Sequence, residues 1–258
     1  MKINEAIFYH RAFRHFEERS ILSYIARFLL LTVPFVALMV YNASNISLFF
    51  SKAAHYMLLL KLGNESFITS QASSVFGVIY TLTFMGRYPT PAFSFATVVV
   101  CCAGMFALKK TKIIPGSISI YLIFILLVTV VSALFFTFFA DRFPYSIENF
   151  SDFYMKTEFG VWLMAPVVLA ISVLALPTDI VDQFLLITVT LLYSIIFGLV
   201  RYILFLYMLN KFSYLFMSTM FIAFDPPLDA IYIIGIYSLY VTVVSNRIKI
   251  DPRVWKCI

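Results

Sequence analysis

The chain has 258 residues, 62% of them hydrophobic and 12% charged, with a formal net charge of +6 and a mean hydropathy of +0.94. A soluble domain is about half apolar and about a quarter charged. The composition therefore excludes an ordinary soluble domain, a disordered chain, a disulfide scaffold and a nucleic-acid binder. The apolar runs are too long for the ~10-residue strands of a membrane barrel, and they do not alternate. The predicted fold class is all-α: a polytopic helical membrane protein, since helices satisfy their own backbone in lipid.

Residues 1–20 form an N-terminal segment in which Arg11, Arg14, Arg19, Glu17 and Glu18 lie among Phe8, Phe13 and Phe16. It reads equally as an interfacial helix and as a solvated cytoplasmic tail. With about 20 polar and basic residues ahead of the first apolar run, it does not read as a convincing secretory signal. The first predicted span is Ile21–Tyr41, with Pro34 inside it. Ser47–Leu62 is the second, interrupted by Lys52 and His55. Phe67–Gly86 is the third and Pro91–Leu108 the fourth, joined by Arg87-Tyr88-Pro89-Thr90-Pro91, where proline restricts the chain to a turn. Lys109, Lys110 and Lys112 follow, and Pro115-Gly116 opens a fifth span that runs to Ala140.

Residues 141–158 are the most polar interior stretch and read as the longest loop. A sixth span, Phe159–Pro177, contains Pro166. After the acidic turn Thr178–Asp182 comes a seventh, Gln183–Leu209, long enough to tilt or bend. Phe212–Phe224 is too short to cross and ends at Asp225-Pro226-Pro227-Leu228-Asp229, so 212–229 is predicted as a re-entrant half-helix. The last span is Ala230–Ser245. Residues 21–246 thus make a single membrane domain, followed by a basic tail, 247–258.

Cytoplasmic loops carry the excess of Lys and Arg. About eight spans, with both termini cytoplasmic, put the N-terminal arginines, Lys109–Lys112 and the tail's Arg247, Lys249, Arg253 and Lys256 on that side. One internal echo stands out: Tyr80, Phe84, Gly86, Arg87 and Tyr88 against Tyr193, Phe197, Gly198, Arg201 and Tyr202. A duplicated helical unit would give such parallel repeats.

Arg201 is the sharpest functional signal. It lies ~12 Å from the nearer end of its apolar run at the helical rise. A charge at that depth costs at least ~2.5–3.5 kcal/mol, so it should face a cavity or a carboxylate. Asp225 and Asp229 are the natural partners, with Glu158 and Asp152 as alternatives. The reading is a substrate-binding or gating charge; the rival is an ion pair that pins helices. The Asp-Pro-Pro break frees backbone groups, which lipid tolerates only where they are buried or line a cavity. Asp179 and Asp182 read as a solvated turn, and Lys52 with His55 as a polar helix stripe.

No HExxH, GxSxG or P-loop is present, and the histidines are only His10, His15 and His55. Cys101, Cys102 and Cys257 lack metal-ligand spacing and read as small apolar residues. No catalytic residue, metal ligand or cofactor is assigned, and the balance leans away from an enzyme. The expected function is a transporter or channel-like permease for a small solute, an anion being one candidate. The alternative is a non-catalytic structural or assembly subunit of a larger membrane complex, with membrane-protein partners. An intramembrane enzyme acting on a lipid-linked substrate ranks third. The expected surroundings are the lipid bilayer and no nucleic acid.

Overall fold

The computed structural model describes residues 21–63, 67–74, 77–110, 114–176 and 178–250. The predicted 1–20 segment and the end of the basic tail lie outside the described residues. The order is α1 (Ile21–Leu62), β1 (Ile68–Ser74), β2 (Gly77–Thr83), α2 (Pro91–Lys110), α3 (Gly116–Phe139), α4 (Ile147–Leu174), α5 (Ile180–Lys211), α6 (Met217–Phe224) and α7 (Pro226–Ile250). Short 3-10 turns follow α3 and precede α6. Among the described residues six stretches are long and apolar enough to cross a membrane: Ile21–Lys61, Pro91–Lys110, Gly116–Arg142, Ile147–Leu174, Ile180–Lys211 and Tyr214–Arg247.

Three expectations give way. First, Ser47–Leu62 is no separate span, because α1 continues unbroken for 42 residues. Asn and Ser at 42–47 suggest a break, since their side chains compete for the backbone. Here Asn42 donates to Leu38 O (3.0 Å) and Ser47 to Ser44 O (3.0 Å), inside the helix. Second, Phe67–Gly86 is not a span. It folds as an antiparallel hairpin in which Ile68 pairs with Thr83 and Ser74 with Gly77, so the fold is not purely α. The first half, ITSQASS, is too polar for lipid, and the second, GVIYTLT, is rich in residues that suit a strand. Third, residues 147–158 are not loop but the opening three turns of α4. Ser146 accepts the Asn149 N–H (3.2 Å), the usual work of an N-cap serine. The echo between 80–88 and 193–202 is also no repeat: one lies on β2 and the loop after it, the other on α5.

The described chain divides into two compact units. One draws on residues up to Asn42, on Phe159–Ile196 and on those from Ile231 onward. Within it Phe35 packs on Phe184 (4.6 Å between centroids) and Tyr237 donates to Ser172 O (3.2 Å).

The other unit comprises Ala43–Glu158 and Phe197–Ala230. Its hairpin shows how backbone groups are satisfied away from water. On the edge of β2 that faces away from β1, Ser44 of α1 donates to Val78 O (2.8 Å) and Tyr80 N donates to Ser47 Oγ (3.1 Å). Further along, Leu82 N donates to Tyr202 Oη of α5 (3.0 Å), and Ser151 of α4 donates to Leu82 O (2.9 Å). Side chains thus close an edge that would otherwise be open to aggregation. Tyr202→Phe leaves the buried Leu82 N–H without its acceptor. We expect a loss of about 1–3 kcal/mol, read as a lower midpoint of thermal unfolding in detergent.

In the same unit α6 is tied to α3 by small polar side chains, the usual adhesive between helices in lipid. Thr129 and Thr219 share a hydrogen bond (3.0 Å), Ser132 donates to Leu215 O (2.6 Å) and Ser218 to Ser132 (3.0 Å). Tyr121 donates to Ala223 O. The loop after the hairpin reaches this element too. Tyr214 N donates to Arg87 O (3.0 Å), and Gly86 lies so close that a Cβ there would stand 2.5 Å from Tyr214 Cζ.

Candidate functional site

Arg201 is buried at 4% exposure, with Glu158 and Asp225 at 0% and Asp229 at 3%. Three elements converge. α4 supplies Tyr154 and Glu158 at i, i+4 spacing, one helix face. α5 supplies Phe197, Gly198 and Arg201. The α6–α7 junction supplies Phe224, Asp225 and Asp229.

A guanidinium has five N–H donors in a fixed fork, and this one uses them all. Nε donates to Tyr154 Oη (3.2 Å). Nη1 donates to Phe224 O (3.1 Å) and Asp225 O (3.0 Å). Nη2 donates to Glu158 Oε1 and to Asp229 Oδ2 (3.1 Å). The same Nη2 lies 3.1 Å from Asp225 Oδ1 and 3.0 Å from Asp229 Oδ1. The rings of Phe197 and Tyr154 stand 5.4 and 5.7 Å from its central carbon, within cation–π range.

The Asp-Pro-Pro sequence explains why Asp225 is available. Asp225 precedes the first residue of α7 and would normally cap it, accepting N–H groups from the second and third helical residues. The second is Pro227, which has no N–H to offer, and the third, Leu228, makes no hydrogen bond to the Asp225 carboxylate. Neither carboxylate oxygen of Asp225 has a hydrogen-bond partner among the described residues, and Glu158 Oε2 has none either. Arg201 meanwhile caps the last carbonyls of α6, while the carboxylates stand at the N-terminal end of α7, each charge at the helix end that favours it.

Gly198 makes room for Glu158. A Cβ there would lie 3.0 Å from Glu158 Oε2 and 3.2 Å from its Cδ. Behind the site Tyr154 donates to Gly198 O (2.8 Å) and stacks on Tyr202 (5.3 Å, 22°).

The structure therefore brings Arg201, Asp225 and Asp229 together and adds Glu158. Asp152 does not join them; it pairs with Lys156 (2.6 Å) one turn away. Asp182 pairs with exposed Arg247 (2.7 Å), and His55 lies edge-on to Phe67 (5.9 Å). Cys101 and Cys102 are free thiols. Glu158, Asp225 and Asp229 present carboxylate oxygens within 4.8 Å of one another, a grouping that no sequence spacing announces. A cavity of about 530 Å³ lies beside the start of α4 and α6, lined in part by Phe143, Asn149, Phe150, Asp152, Phe153 and Phe221; the Arg201 cluster does not line it.

No protein-family model, curated protein or solved structure matches this chain. The reading of function rests on the geometry.

Proposed function

We propose that this chain is an integral membrane transporter or channel-like permease, with the Arg201–Glu158–Asp225–Asp229 cluster as the place where its solute or coupling ion is recognised. The observation that carries the reading is charge imbalance. Three buried carboxylates face one guanidinium, a formal excess of two negative charges. A pin between helices needs one carboxylate, and every surplus buried charge costs several kcal/mol, on the order of its desolvation. Ionisable groups held in membrane segments at such expense mark ion pathways and proton relays. All five Arg201 donors are in use, which supports a cationic occupant over an anionic one.

In this reading all six candidate spans cross, so both ends lie on one side of the membrane. The N-terminal arginines, the Lys109–Lys110 end of α2 and the Arg247 end of α7 then share the cytoplasmic face, as the positive-inside rule asks. Here α7 alone makes the sixth crossing and α6 is the re-entrant element.

One observation favours the assembly-subunit reading: Arg201 is 4% exposed and fully hydrogen-bonded, like a dry structural pair. Osmotic re-swelling of vesicles that contain the purified chain separates the two. The vesicles are challenged with ammonium, potassium, acetate and phosphate salts. A permease speeds re-swelling for at least one salt over protein-free and Asp225→Asn vesicles. Equal rates for every salt would favour the assembly subunit.

A further inference from the structure

The geometry of the cluster narrows its occupant. Arg201 Nη2 already stands among the three carboxylates, 3.0 Å from Asp229 Oδ1 and 3.1 Å from Asp225 Oδ1, and it contacts Glu158 Oε1. A metal ion held at about 2.0–2.6 Å from carboxylate oxygens would compete for that same position and meet the repulsion of the guanidinium. What the guanidinium leaves is a set of carboxylate oxygens without a hydrogen bond. Glu158 Oε2 and both Asp225 oxygens are buried, with no hydrogen-bond partner among the described residues. Each belongs to a fully buried side chain aimed into a cluster whose ligand oxygens fall within 4.8 Å of one another.

Like charges this close, in a site shut off from water, cannot all remain ionised. A proton removes the repulsion without needing space, and it turns an orphaned oxygen into a donor for its neighbour. Among the described residues, the ion pairs of the three carboxylates all run to Arg201. Of the other groups facing the cluster, Tyr154 comes from α4; Lys156, two residues on, is engaged by Asp152. From α3 comes Tyr121, whose hydroxyl donates to Ala223 O. From α5 comes Arg201 itself.

We infer that the ion handled at this site is the proton: two of the three carboxyls of Glu158, Asp225 and Asp229 are protonated at rest, and those protons exchange with the aqueous phase during the working cycle. The inference rests on the permease reading and supplies its ion. The protons belong to the cluster as a coupled unit rather than to fixed residues.

The test is infrared spectroscopy of the full chain in lipid nanodiscs at neutral pH, in water and after transfer to D2O, alongside calorimetric titration with calcium, magnesium and sodium. The expected result is a carboxylic-acid C=O band equivalent to two groups, which shifts on deuteration and falls to about half in Asp225→Asn, since one of two shared protons is lost. Glu158→Gln gives the same halving should Asp225→Asn fail to fold. No acid band, with stoichiometric binding of a metal ion that Asp225→Asn abolishes, would overturn the inference and leave the permease reading standing. A band that persists unshifted through prolonged exposure to D2O would overturn it too, because such protons are structural. Vesicle re-swelling tests the permease reading separately. A salt effect without an exchangeable acid band removes only the proton, whereas an exchangeable band with no salt effect removes only the permease.

Discussion

Arg201→Met is expected to destabilise the protein by about 3–5 kcal/mol, the cost of removing one partner from a buried charge group. The variant should accumulate poorly in the membrane and unfold at a markedly lower temperature in detergent. The loss is larger than a broken pair alone because five donors go at once. Phe224 O, Asp225 O and Tyr154 Oη lose partners, and three carboxylates lose their ion pair with the guanidinium. Arg201→Lys should not restore stability, since an ammonium offers three donors at one point where the site is built for a planar fork. Adding Asp225→Asn and Glu158→Gln to Arg201→Met should recover part of the loss, because Asp229 is then the one ionisable group left of the three carboxyls. Such coupling between touching residues amounts to about 0.5–3 kcal/mol. A triple variant less stable than Arg201→Met would mean that the carboxylates stabilise the fold by contacts other than those to Arg201.

Gly198→Val is expected to cost about 1–3 kcal/mol by overpacking and to disturb the site directly. The added carbons enter the space held by the Glu158 carboxylate, where even a single Cβ would lie 3.0 Å from Oε2. Glu158 cannot swing aside freely, because Arg201 holds its other oxygen. Gly198→Ala should be milder: it gains about 0.8–1.0 kcal/mol of helix propensity, which offsets part of the displacement. The two variants read against each other in a thermal scan separate crowding of Glu158 from a backbone effect. If Gly198→Val is as stable as Gly198→Ala, Glu158 is not seated as described.

Much of this site is legible in the sequence because lipid penalises charge. Arg201 stands out as one cation deep in an apolar run, and Asp225-Pro226-Pro227-Leu228-Asp229 as a break nearby. Glu158 is harder to read, since it closes a polar stretch that resembles a loop. The periodicity was there: Ile147, Phe150, Ser151, Tyr154, Met155 and Glu158 are all buried and follow the spacing of a helix face. Charged residues between them, Glu148, Asp152 and Lys156, mask that face in any average over the segment. Gly198 carries no signal of its own, because its role depends on Glu158, 40 residues away along the chain.

The hairpin is the largest departure, and its reason is local. Thr69, Ser70, Gln71, Ser73 and Ser74 lack charge, so a count of charged residues passes 67–86 as a span. Yet no apolar face continues through them. The long α1 is the complementary case: Asn42, Ser44, Asn45 and Ser47 look like a turn, but Ser44 and Ser47 are the side chains that close the edge of β2. Residues that seem to break one element instead build its contact with another.

For the cluster to handle an ion, water must reach it from one side at some point in the working cycle. The most direct measurement is thiol accessibility at Leu228, which lies between Asp225 and Asp229 in the first turn of α7 and is half-buried. Leu228→Cys is placed in a background with Cys101, Cys102 and Cys257 changed to Ser, and a membrane-impermeant thiol reagent is applied to sealed vesicles of each orientation. Labelling is expected from one side only, slowed when Asp225 is replaced by Asn. A folded variant that is labelled from neither side would contradict it and leave the cluster as a structural lock between helices.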